Sequence, residues 1–407
     1  MNNQSSNHQK IGLLHREQVV AQLLSWVNIN TSSDNIPGLL GFASMLKQAY
    51  ASLGGESTLI PLPERTVITE SGKLSTTPSG NALHIVKRSN APLKILLGGH
   101  MDTVFPLTST FQTGELVSSN KLKGPGTADM KGGLMILLKG LEIFESSLHS
   151  DNIGIEILIT PDEEIGSMAS RQLWIDAARR NHLCIIFEPS HPDGSLVSER
   201  KGSVNLAVIA HGKSAHAGRE FHMGKNAIVA LSHFIVKAHA LNAANEKILL
   251  NIGQIEGPGS CGVVPDLAIC RLNIRSDSQE ELLKVTQQLE EIKDSIAATM
   301  GMQMIMHTLS SRVPKPFQGN TINLFEAVQD AAKTIGIDLK WHPSGGVCDG
   351  NIVAAAGIPT IDTLGAIGGN MHSKEEYILI NSLTDRAQLL ALFLMQLSTN
   401  QTKFKVK

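Results

Sequence analysis

At 407 residues the chain is too long for one ordinary hydrophobic core and predicts about two domains. With 42% hydrophobic and 18% charged residues, it has the composition of a folded globular protein and not of a disordered one. A formal charge of −2 argues against a nucleic-acid-binding surface or a polybasic membrane patch.

The first stretch, "MNNQSSNHQK", is polar and lacks the apolar core of a signal peptide. Helix-like apolar spacing follows over 15–28 and 38–53. "KILLGG" (94–99) reads as a buried strand ending in glycine, 129–148 as a helix, and "IGIEILIT" (153–160) as a strand. Residues 170–179 are helical and "LCIIFE" (183–188) is a further strand. Apolar strands alternating with helices predict an α/β fold, a mostly parallel sheet covered on both faces. The middle of the chain changes pattern. Strands over 202–212, 247–257, 266–276 and 302–310 enclose helices over 224–241 and 278–300, the second with Ser278 as N-cap. That order, βαββαβ, is the ferredoxin-like split pattern. The α/β pattern resumes near Thr321, with a strand within 354–365 and a closing helix over 383–398. "LLALFLMQL" in that last helix is far too short to span a bilayer. The expected plan is a catalytic domain in two parts, 1–195 and 312–407, interrupted by an inserted domain over 196–311. The four cysteines form no CxxC pair and read as reduced, mostly buried thiols, which points to the cytoplasm.

Five segments carry the chemistry: "GHMDT" (99–103), "GPGTADMKGG" (124–133), "TPDEEIGS" (160–167), "FEPS" (187–190) and "GAIGGNMHSKEEY" (365–377). Taken singly each is an ordinary turn, and "DEE" is usually a solvated acidic one. In open α/β sheets, however, ligands collect at the carboxyl ends of the strands, where most of these segments fall. Their inventory is His100, Asp129, Glu164, Glu188 and His372. Two imidazoles and three carboxylates suit zinc, and suffice for two divalent ions if one carboxylate bridges. Glu163 and Glu164 are adjacent, so one can bind metal while the other faces a water as general base. Asp102 lies two residues from His100, on the same face of an extended chain, and can accept the other imidazole N–H.

The conjunction of these five segments, in this order, resembles the M20 metallopeptidases over residues 15–400. The resemblance implies a zinc-exopeptidase-like catalytic domain with an inserted lid and dimerisation domain. It assigns the metals to His100, Asp129, Glu164, Glu188 and His372 with Asp129 bridging, the general base to Glu163, and the orienting carboxylate to Asp102. It implies a cis peptide bond after Asp129. "HGKSAHAG" (211–218) is similar to the family's lid motif, which assigns the substrate's carbonyl oxygen to His216, supplied from the partner chain in dimeric members. "CRLNIRS" (270–276) matches the strand whose arginine, here Arg275, binds a substrate carboxylate. The chain departs from the family pattern at Gly262, where asparagine usually precedes "VVP", and at Asn273, where aspartate is usual. The implied function is metal-dependent hydrolysis of an amide bond beside a free carboxylate, in a small peptide or N-acyl amino acid, by a homodimer. The "FEPS" and "GGNMHS" segments resemble the family's carboxypeptidase G2 branch most, hence a glutamate carboxypeptidase-like specificity. An N-acyl-amino-acid deacylase and a catalytically silent amino-acid-binding member are the alternatives. Zinc is the expected metal, and cobalt and manganese also suit the ligand set.

Overall fold

The computed structural model describes residues 16–257, 259–402 and 404. Its central sheet has six strands in the order Glu56–Pro61, Asn81–Lys87, Ile153–Thr160, Leu93–His100, Leu183–Ile186, Thr360–Ile361. The last four run parallel, and Asn81–Lys87 runs antiparallel to both of its neighbours. Every residue of Ile153–Thr160 is buried. A strand covered on both faces needs a largely apolar run rather than alternation, and "IGIEILIT" supplies it except at Glu156, whose buried carboxylate pairs with His84 and Arg180. Ile95, Leu97, Ile157 and Ile185 face one layer of helices, formed by 16–27, Ile36–Ala49, Gly132–Glu145, Asn320–Thr334 and Ile380–Ser398. Leu96, Leu158, Cys184 and Ile186 face the other, around Trp174 on Arg171–Arg180 and Ile352 on Asp349–Ala355.

The βαββαβ run forms a second, antiparallel sheet ordered Ile248–Glu256, Leu267–Ser276, Gly202–His211, Gln303–Arg312. Helices Ala227–Ala244 and Gln279–Met300 pack on one face through Leu231, Phe234, Leu282 and Leu289. The Ser278 side chain caps the second helix, accepting from Glu281 N at 3.3 Å, and Gly301, at φ 59°, ends it in the left-handed region. Among the described residues one helix, Ala227–Ala244, is long and apolar enough to cross a membrane; its Ala230, Leu231 and Phe234 lie in the inserted sheet's core. The two stretches linking the sheets run side by side where Arg200 and Lys315 exchange two backbone hydrogen bonds at 3.0 Å.

Two expectations change, and two strands appear that the sequence did not announce. The helix expected over 129–148 starts at Gly132, because Asp129 and Met130 are non-helical and joined by a cis peptide bond. The strand expected within 354–365 shrinks to Thr360–Ile361, because helix Asp349–Ala355 takes its beginning. Glu56–Pro61 and Asn81–Lys87 join the sheet without a clear signal, since each is only partly buried.

Candidate metal centre

The four parallel strands end on one side of the sheet, and the "GGH" of Leu93–His100 shows why glycine precedes the histidine. A Cβ on Gly98 would lie 2.0 Å from the Leu158 carbonyl oxygen, and one on Gly99 2.1 Å from the Met130 methyl. At Gly98 the neighbouring strand's backbone leaves no room for a side chain, and at Gly99 the Met130 side chain fills the space.

His100 Nε2 lies 3.0 Å from Asp129 Oδ1 and 3.7 Å from Glu188 Oε2. His372 Nε2 lies 3.3 Å from Asp129 Oδ2 and 3.4 Å from Glu164 Oε2. Two groups able to hold a metal ion result, His100–Asp129–Glu188 and Asp129–Glu164–His372, with one Asp129 oxygen turned toward each. All five residues read from the sequence as ligands are therefore brought together. His372 sits at φ 60° and Asn370 at φ 57°, left-handed conformations uncommon for residues with side chains. They turn the "GGNMH" loop back over the Asp129 carboxylate.

Asp102 is fully buried, and its contacts differ in detail from the expectation. His100 Nδ1 is 3.0 Å from the Asp102 main-chain oxygen and 3.3 Å from its Oδ1. The carboxylate itself accepts from Glu163 N and Glu164 N, both at 3.1 Å, and from Ser33 Oγ at 2.7 Å. One residue thus contacts the histidine, through its main-chain oxygen and carboxylate, and both glutamates, through its carboxylate.

The electrostatics are those of crowded carboxylates. Hydrogen bonds to Asp129 and Glu164 push His372 up to about 10. Burial lowers His100, but Glu188, Asp102 and Asp129 outweigh it and hold the imidazole well above its usual value. Burial, reinforced by the Asp129 charge, pushes Glu164 up to about 7. Burial also raises Glu163 and Glu188, against the opposing charges of Arg312 and His100 respectively. Glu188 Oε1 is buried with no hydrogen-bond partner among the described residues. Nitrogen and oxygen donors, excess negative charge and an unpartnered carboxylate oxygen together fit divalent cations.

Asp129, Glu163, Glu164, Glu188 and His372 form the floor of a cleft of about 770 Å³, with His100 buried behind them, and its opposite wall is the helix-free face of the inserted sheet. Arg275 lines that wall, its Nη1 2.6 Å from Gly345 O and its Nε 2.9 Å from Asn273 Oδ1. The amide of Asn273 donates to Ser203 Oγ at 2.7 Å and Asn205 Oδ1 at 2.8 Å, which an ionised aspartate could not do. His216 is not among the cleft's lining residues. It is exposed on a two-residue ladder with Val263–Val264, and Gly262, lacking a side chain, accepts from Ala217 N through its carbonyl.

Sequence reasoning missed three charged residues here. Glu376 Oε1 accepts from Ala128 N at 2.8 Å and Asp129 N at 3.1 Å, and burial pushes this carboxyl up to about 8. Arg312, with Nη2 2.9 Å from Glu163 Oε1, and Asp349, 3.2 Å from the same nitrogen, lie behind the glutamate pair. The second glutamate of "KEEY" was visible, but nothing in the sequence distinguishes a buried glutamate from a solvated one there.

Residues 96–396 match the family model of Peptidase family M20/M25/M40. The chain is 25% identical over 388 residues to carboxypeptidase G2 of Pseudomonas sp. (strain RS-16), covering 94% of this chain and 90% of that one. It is 28% identical over 319 residues to succinyl-diaminopimelate desuccinylase of Nitrosococcus oceani, covering 73% and 82%. The same fold occurs in the M20 family metallo-carboxypeptidase Sso-CP2 from Sulfolobus solfataricus (TM-score 0.70, 17% identity, 94% and 99% covered). It occurs again in the di-peptidase Dug1p from Saccharomyces cerevisiae (TM-score 0.76, 15% identity, 98% and 99% covered).

Proposed function

The chain belongs to peptidase family M20/M25/M40 as a metal-dependent hydrolase, and from that premise we propose that it cleaves an amide bond beside a free carboxylate, with glutamate carboxypeptidase-like specificity. The observation that carries this reading is the shared Asp129 between two ligand groups, with one glutamate, Glu163, left outside both. His100 and Glu188 would hold one divalent ion, Glu164 and His372 a second, and Asp129 both. Zinc is our choice from the donor set. Two such ions polarise a substrate carbonyl and make a water a nucleophile near neutral pH. Glu163 takes the proton from the attacking water and delivers it to the leaving nitrogen, so the free carboxylic acid and the amine form together. Arg275, on the opposite wall, pairs with the substrate's terminal carboxylate. A second reading, N-acyl-amino-acid deacylase, is supported by the desuccinylase relative and uses the same residues.

His216 needs a partner in this scheme, because it does not line its own chain's cleft. Among the described residues the outer edge of Ile248–Glu256 has no partner strand, and Leu249 and Ile255 on it are exposed, as are Ile228, Val229 and Val236 on helix Ala227–Ala244. An open strand edge beside apolar side chains suits sheet-to-sheet pairing with a second copy. His216 of one copy then reaches the other's cleft and stabilises the oxyanion. The test mixes inactive Glu163→Gln chains with inactive His216→Ala chains. Activity on a panel of peptides and N-acyl amino acids should reappear, because a mixed dimer has one intact site. No recovery contradicts the action of His216 across the dimer, and an active monomer contradicts the dimer itself; no turnover by the native chain of any substrate bearing a free carboxylate contradicts the reaction.

A further inference from the structure

Two adjacent glutamates face one cleft, yet the scheme needs one to bind metal and the other to stay free. Glu164 points to His372, whereas Glu163 Oε1 lies 2.9 Å from Arg312 Nη2, an ion-pair contact without hydrogen-bond geometry. The same Arg312 nitrogen is 3.3 Å from the Glu163 main-chain oxygen and 2.6 Å from Ser167 Oγ. Asp349 accepts from Arg312 Nη2, from Ser167 Oγ and, at 3.3 Å, from Thr160 Oγ1. Ser167 and Asp349 are fully buried behind Arg312, which itself borders the cleft and is almost wholly buried, so the cation is fixed by a frame from the protein side. The frame is anchored in turn. Asn351 donates to Lys201 O at 3.0 Å and Val313 O at 2.8 Å, pinning both strands that link the two sheets to helix Asp349–Ala355. Arg312 is the last residue of the inserted sheet's strand, so the glutamate is held from the lid side.

Resting on the assignment of Glu163 as base, we propose that Arg312 is a positioning residue: its guanidinium holds one Glu163 oxygen away from the metal ligands and leaves the other aimed into the cleft. Nη2 makes all of these contacts, and its hydrogen bonds to Ser167 and Asp349 fix the rigid guanidinium plane, a constraint that a flexible ammonium lacks. Removing it lets Glu163 turn, and small misplacement of a reacting group is costly.

The test compares Arg312→Ala, Arg312→Lys, Glu163→Gln and the Glu163→Gln/Arg312→Ala pair, each metal-loaded and measured for metal content, folded fraction, kcat and KM. Per folded chain, Arg312→Ala should lose about 100-fold in kcat with KM and metal content little changed. Millimolar guanidinium ion should restore part of that loss in Arg312→Ala and nothing in Glu163→Gln. Adding Arg312→Ala to Glu163→Gln should cost nothing further. Arg312→Lys should fall between, and carries the same kcat and KM comparison if Arg312→Ala does not fold. A raised KM with intact kcat would make Arg312 a substrate-binding group, and a normal kcat per folded chain would make it purely structural; either overturns the proposal. If Glu163→Gln is inactive while both Arg312 variants are normal, this proposal alone fails; if Glu163→Gln turns over normally, the base assignment fails first.

Discussion

Replacing Asp102 by asparagine keeps the size of the side chain and disturbs a known set of contacts. Oδ1 accepts from Glu163 N, and Oδ2 accepts from Glu164 N and Ser33 Oγ. An asparagine has one acceptor oxygen, so whichever way its amide turns, its NH2 faces a backbone N–H of one glutamate. Leaving that buried donor unsatisfied costs about 1–3 kcal/mol. The negative charge 3.3 Å from His100 Nδ1 is lost as well. Loss of such a partner behind a metal-binding histidine typically costs about 10–100-fold in affinity or activity, equivalent to about 1.4–2.7 kcal/mol and of the same size as the hydrogen-bond cost. Asp102→Asn should therefore weaken metal binding about 10–100-fold, measured by competition with a chelator of known affinity. It should also lower kcat/KM at saturating metal, because Glu163 is loosened too. Unchanged metal affinity together with an unchanged rate would refute the claim that Asp102 orders the site.

Arg275→Ala should raise KM for substrates with a free carboxylate by about 10-fold or more, and matter little for the corresponding esters or amides; equal effects on both would remove its assigned role. Glu164, Glu376 and His372 all hold protons more tightly folded than their ordinary values allow, at about 7, about 8 and about 10. Below pH 7 the folded, metal-free chain thus binds more protons than the unfolded one, and its melting temperature should fall as pH rises from about 5 to about 7; above that, Lys131, which burial pushes down to about 7, works in the opposite direction. Metal binding at pH 7 should release protons, read by calorimetry in buffers of different ionisation enthalpy; proton uptake would contradict this. Gly98→Ala should destabilise more than Gly99→Ala by thermal melting, because the first Cβ meets the Leu158 backbone oxygen and the second the mobile end of Met130.

The parts of the fold legible in the sequence are those where burial is uniform. Leu93–His100 and Ile153–Thr160 announce themselves as mostly apolar runs, each with one charged residue inside it, Lys94 and Glu156, and the inserted unit by alternation and a capped, polar-faced helix. Asn81–Lys87 is not legible, because it mixes buried and half-buried positions that also fit a loop. The five ligand candidates were found because each stands in a glycine-rich turn or beside a strand end. Their supporting groups were hidden for a physical reason. Arg312 reaches Glu163 across 149 residues of chain, and Glu376 reaches Asp129 across 247. Such contacts are properties of packing, which local spacing does not encode. Asp102 lies between the two cases. Its proximity to His100 is local and was readable, whereas its hold on both glutamate N–H groups depends on the strand pairing of His100 with Thr160.

The division of labour between Glu163 and Glu164 is the central claim, and one preparation of Glu163→Gln tests it. Metal content and turnover should be measured on the same sample, beside Glu164→Gln. Glutamine at 163 is nearly isosteric and cannot accept the water's proton. Metal content should stay at the native level while kcat falls by about 10²–10⁴ or more. Glu164→Gln should instead lose metal. If Glu163→Gln loses its metal while Glu164→Gln keeps it, the two roles are reversed; if Glu163→Gln keeps both metal and turnover, the hydrolytic scheme built on Glu163 is wrong.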